Sequence, residues 1–64
     1  MDLQELYAAR DNAIFEMDID TLADISGTAK ARAESLGTGS EELGAYQALA
    51  LGCDADIERF SEGN

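Results

Sequence analysis

Apolar residues recur at steps of three and four along most of this chain. That spacing gathers them on one face of a helix and would scatter them over both faces of a strand. Leu3, Leu6, Tyr7, Arg10, Ala13, Ile14 and Met17 follow it first and predict a helix from about Leu3 to Glu16. Asp2 and Glu5 suit a capping box at its start, each side chain satisfying a backbone N–H. Asp18 reads as the N-cap of a second helix, with Asp20 in its positive first turn. A rival reading takes Phe15, Met17 and Ile19, alternating with acids, as a strand. A lone strand has no partner for its ladder, so the helical reading ranks ahead. The second helix carries Leu22, Ile25, Ala29, Ala33 and Leu36, and Gly27 in its middle is expected to kink or split it.

Leu36-Gly37-Thr38-Gly39-Ser40 is the clearest loop, with Gly37 expected to end the second helix in the left-handed conformation. Thr38 and Ser40 compete to cap a third helix that carries Leu43, Tyr46, Leu49 and Ala50. Its end has two readings. Gly52-Cys53-Asp54 stops it, and Asp54 with Asp56 caps a short fourth helix through Phe60. Alternatively it runs on, because Leu43, Tyr46, Ala50, Cys53, Ile57 and Phe60 keep alternating steps of three and four. Either way the fold class is all-α: one domain, a small three-helix bundle with or without a short fourth helix. Its expected core is Leu3, Leu6, Ile14, Leu22, Ile25, Leu36, Leu43, Tyr46, Ile57 and Phe60. Gly44, Ala48 and Gly52 form a small-residue stripe, as do Ala29 and Ala33, and predict close packing of the second helix on the third. A self-association face is the second reading, which leaves the chain a monomer or a small homo-oligomer.

Composition narrows the chemistry. A chain of 64 residues buries only about 60% of the surface that its unfolded form exposes, so its stability margin is small. It has one Cys, no His and no Pro, with 14 acids against 4 cations and a formal net charge of −10. A lone Cys forms no internal disulfide, and Cys53 has neighbouring acids rather than a base to activate it, so it reads as a reduced, half-buried apolar residue. Without His there is no Ser triad and no zinc site of the usual kind. Asp54, Asp56 and Glu58 match the first positions of a calcium loop, but Arg59 stands where its Gly is needed. No cofactor and no enzymatic activity are predicted. Direct nucleic-acid binding is disfavoured, because phosphates demand a basic surface. The N-terminus has no basic segment followed by an apolar run, which predicts a cytoplasmic chain without a signal peptide. No apolar stretch approaches the length needed to span a bilayer, so no membrane partner is expected.

The charge map carries the functional reading. Asp11, Glu16, Asp18, Asp20 and Asp24 stand between Arg10 and Lys30 with no cation among them. Glu34, Glu41, Glu42, Asp54, Asp56 and Glu58 stand between Arg32 and Arg59, again with none. An ordinary soluble helix intersperses signs to gain pairs one turn apart. Here those pairs are largely forgone, at the cost of self-repulsion. The eleven acids of these two stretches are the candidate partner-binding residues, and the pairs Glu41/Glu42 and Asp54/Asp56 are expected to be exposed near helix starts.

A small helical chain with cation-free acidic stretches such as Asp11 to Asp24 and Glu34 to Glu58 resembles phage-encoded inhibitors of nucleic-acid-binding machines. Anti-CRISPR proteins that block DNA entry into surveillance complexes are the prominent group. The resemblance covers the whole chain and rests on size, charge and helical pattern. It implies a non-enzymatic DNA mimic in the host-cell cytoplasm, occupying a basic DNA- or RNA-binding site on a target such as a Cas surveillance complex. Two other readings fit the charge: a small interaction module, such as an adaptor or antitoxin, and a generic protein of a halophile.

Overall fold

A computed structural model describes residues 2–62 as three helices, α1 (Leu3–Glu16), α2 (Ile19–Ser35) and α3 (Glu41–Glu62). Each start is set by a side chain or turn next to it. The Asp2 carboxylate accepts the Glu5 N–H at 2.9 Å, and Asp18 accepts the Thr21 N–H at 3.1 Å. These bonds satisfy donors that the first helical turn leaves open. Ser40, rather than Thr38, immediately precedes α3.

Phe15 to Ile19 is not a strand. Glu16 ends α1, and Met17 turns the chain with φ 56° and ψ 40°. The Met17 N–H donates to the Ile14 carbonyl at 3.1 Å, and the Asp18 N–H donates to Ala13 at 2.8 Å. This pair of bonds is a Schellman motif, which closes the last helical carbonyls. Met17, expected on the apolar face, is exposed at this turn. The left-handed cap expected at Gly37 is also absent. Leu36 ends α2 in an extended conformation, its N–H donating to the Arg32 carbonyl, and it is Gly39 that takes positive φ in the loop. Gly27 lies inside α2 with open space around it, and the helix runs through it without a break.

α3 continues through Gly52, so there is no short fourth helix among the described residues. The alternating spacing from Leu43 to Phe60 outweighs the Gly, whose cost inside a helix is about 1 kcal/mol. The core joins Leu6 and Ala13 of α1, Leu22, Ile25 and Ala29 of α2, and Tyr46, Leu49, Ala50 and Cys53 of α3. Leu3, Ile14, Leu36, Ile57 and Phe60, expected inside, pack against it partly buried. Leu43 is half-buried outside this cluster. The small-residue prediction holds on α2, where Ala29 is buried and Ala33 packs against the core. α2 packs on α3 more extensively than any other pair of helices packs, as predicted, but not through the α3 stripe: Gly44 and Ala48 are exposed, and a Cβ on Gly52 would meet the Arg10 side chain of α1. No described helix is long and apolar enough to cross a membrane.

Candidate acidic interface

The eleven predicted acids divide by what surrounds them. Asp56, predicted to be exposed, is buried at 5% exposure in the middle of α3. Arg10 of α1 donates from Nε and Nη2 to its Oδ2 at 3.1 and 3.0 Å, and Arg59 donates from Nη2 to its Oδ1 at 2.6 Å. Both carboxylate oxygens are thus satisfied by charge-assisted bonds, the condition for burying a carboxylate at tolerable cost. Arg10 reaches this position because Gly52 has no side chain: a Cβ there would lie 2.9 Å from Arg10 Nη2. The Arg59 Cζ also lies 5.9 Å from the Phe60 ring centroid, at the edge of cation–π range. Asp56 is therefore a structural residue linking α1 to α3 and cannot belong to an exposed acidic surface.

Asp54, also predicted at a helix start, sits in mid-α3 and is half-exposed. It accepts from the Ser26 hydroxyl at 2.7 Å and pairs with Lys30 at 3.0 Å. The Ser26 bond, reinforced by Lys30, holds its carboxyl below the ordinary aspartate value. Asp18, half-buried, accepts from the Thr21 hydroxyl at 2.6 Å, and this bond with the Thr21 N–H holds its carboxyl low as well. The remaining candidates, Asp11, Glu16, Asp20, Asp24, Glu34, Glu41, Glu42 and Glu58, are exposed and make no ion pair among the described residues.

Their placement follows from helix geometry. Asp20, Asp24, Gly27, Ala31 and Glu34 succeed one another at alternating steps of four and three, so they share the outer face of α2, and all are exposed. This stripe is about 21 Å long at 1.5 Å rise per residue and carries no cation. Glu41 and Glu42 occupy the first turn of α3, where the helix dipole favours them. The described chain measures 39 × 20 × 14 Å. A duplex of the same length would carry about 23 phosphate charges. The net charge of −10 is within a factor of about two of that.

Three cations are thus drawn to Asp54 and Asp56, which the reading of charge along the chain missed. A signal was present. Leu49, Cys53, Asp56 and Phe60 keep the core spacing, as do Leu22, Ser26 and Ala29, so Asp56 and Ser26 fall on buried faces. Cys53 is deeper than expected, at 0% exposure, and burial pushes its thiol pKa up, with the Asp56 and Asp54 charges adding to this against Arg10. That environment disfavours a nucleophilic thiolate. Asp54, Asp56 and Glu58 lie on a continuous helix rather than a loop, and no group of metal-ligating side chains converges among the described residues. The chain matches no protein-family model, no curated protein and no solved structure.

Proposed function

We propose that the protein is a non-enzymatic inhibitor whose acidic outer surface occupies a basic nucleic-acid-binding groove on a target protein, in the manner of the anti-CRISPR proteins it resembles. The observation that carries this reading is the pairing of three of its four cations with only two of its acids. Arg10, Arg59 and Lys30 are engaged by Asp56 and Asp54, so the acids of the α2 face and of the first turn of α3 stand without counter-charge. Such a surface attracts a basic groove at long range and repels nucleic acid itself. The target class is a surveillance complex in the host cytoplasm, and competition for the groove replaces chemistry as the mechanism.

The test is a mobility-shift competition with a purified CRISPR surveillance complex loaded with its DNA. Displacement of the DNA, weakening as salt rises, is expected. The double reversals Asp20→Lys/Asp24→Lys and Glu41→Lys/Glu42→Lys should each weaken displacement while the helical circular dichroism is retained. A supershifted complex holding protein, target and DNA together would overturn the proposal in favour of an adaptor.

A further inference from the structure

The turn between α1 and α2 places two apolar side chains in solvent. Phe15 is 90% exposed and Met17 62% exposed. A single exposed apolar residue is ordinary on a protein surface. This pair differs in its backbone. Met17 occupies the left-handed position of the Schellman motif, with φ 56°. Gly adopts that conformation freely, whereas a residue with a Cβ is disfavoured there. The chain therefore carries a large apolar side chain where Gly would fold more easily, and leaves it outside the core. Asp11 shares the outer face of α1 with Phe15, one turn earlier, and Glu16 and Asp20 flank the turn; all three are exposed. Arg10, the nearest cation in sequence, is turned inward onto Asp56. Of the other exposed large apolar side chains, Tyr7 is only 38% exposed, and Leu51 lines a depression with Ala50, Gln47 and Lys30, whose cation is a poor match for a basic partner.

We propose that this corner is the docking knob of the protein: Phe15 and Met17 pack on the apolar face of a basic amphipathic helix of a partner protein, and Asp11, Glu16 and Asp20 meet the lysines or arginines that border that face. Interfaces concentrate their energy in a few desolvated apolar anchors, with charged neighbours fixing register and rate. The acids select a basic helix and, with the net charge of −10, oppose a second copy of this chain as occupant. The inference takes from the proposed function only that the partner is basic.

The probe is a short amphipathic peptide of leucine and lysine, compared with a peptide of equal charge in which serine replaces leucine. Binding is followed by titration and by amide chemical shifts of the labelled protein. Shift changes are expected to centre on residues 11–20, and the leucine peptide should bind at least about ten-fold more tightly than the serine peptide. Phe15→Gln and Met17→Gly should each remove most of that difference. Melting temperature should be unchanged in the first and raised in the second, which separates a docking role from a structural one. Equal affinity for the two peptides would overturn the knob and leave an electrostatic inhibitor standing. Shifts centred on Leu51, or a dimer in sedimentation that Phe15→Gln dissolves, would also overturn it. Failure to displace DNA, with the peptide still seated at the corner, would instead sink the inhibitor and spare the knob.

Discussion

The neighbourhood of Asp56 and the outer face of α2 use the same side-chain chemistry to opposite ends. At Asp56, one buried carboxylate gathers two guanidinium groups and links α3 to α1. On the α2 face, Asp20, Asp24 and Glu34 stand in water with no ion pair among the described residues. The difference shows that the placement of the few cations decides where the field of the molecule points. With 4 cations against 14 acids, each one drawn to Asp54 or Asp56 leaves fewer to offset the remaining acids. One buried, paired carboxylate and an uncompensated acidic face are therefore two sides of one arrangement.

The comparison breaks most severely at Asp56. Asp56→Ala leaves Arg10 partly buried over Gly52 without its partner. Removing one member of a buried pair costs about 3 kcal/mol or more, out of a total stability of about 3–10 kcal/mol for a chain of this length. Urea denaturation should therefore show the variant losing about a third or more of the wild-type stability. A loss below about 1 kcal/mol would mean that Asp56 behaves like a surface ion pair.

The next effect separates two glycines of α3. Gly44→Ala enters open space and should stabilise the helix by about 0.5–1 kcal/mol. Gly52→Ala gains the same propensity but puts its Cβ against the Arg10 guanidinium, so it should come out at least about 1 kcal/mol less favourable than Gly44→Ala. Equal effects at the two positions would show that Arg10 moves aside without weakening its bonds to Asp56.

Outside, the effects are smaller and salt-dependent. Glu34→Lys removes an exposed acid near the C-terminal end of α2, where the dipole disfavours it, and should stabilise by about 0.5 kcal/mol at low salt. Raising NaCl should increase the melting temperature of the wild type and shrink the gain from Glu34→Lys. A wild-type melting temperature that stays flat or falls from low to physiological salt would contradict net repulsion.

Acidification sharpens the contrast further. The exposed carboxylates lose their repulsion as they protonate, so a mild fall in pH should first stabilise the protein. Asp18 and Asp54 act in the other direction. Their folded pKa values are depressed, so their contributions are complete above the unfolded value of about 4 and are lost as pH falls through the folded values. Stability should therefore decline below about pH 4. The double variant Asp18→Asn/Asp54→Asn should show a shallower acid limb in thermal melts, with the α2 cap retained because Asn also caps well. An acid limb identical to that of the wild type would assign the decline to other groups.

Much of this was legible beforehand. The caps at Asp2 and Asp18, the bounds of α1 and the loop before α3 follow from signals a few residues apart. The continuation through Gly52 could be weighed but not chosen by composition, because it depends on whether packing beneath the helix outweighs one poor helix former. The candidate site was legible as a sign and a quantity of charge. Its geography was not: Asp54 and Asp56 looked like neighbours of an open helix start, and one proved to be buried.

The sequence by itself determined that the chain is helical, where α1 begins and ends, and that its surface is strongly acidic, because helix periodicity, capping and net charge are local or additive properties. Only the tertiary structure decided which acids keep their charge for the outside. A carboxylate on a core-facing position is either an unpaired liability or a tethered link, and that depends on which cation a neighbouring helix brings within about 3 Å of it. Arg10 lies on another helix, and its side chain reaches Asp56 past Gly52, where the absence of a side chain leaves it room.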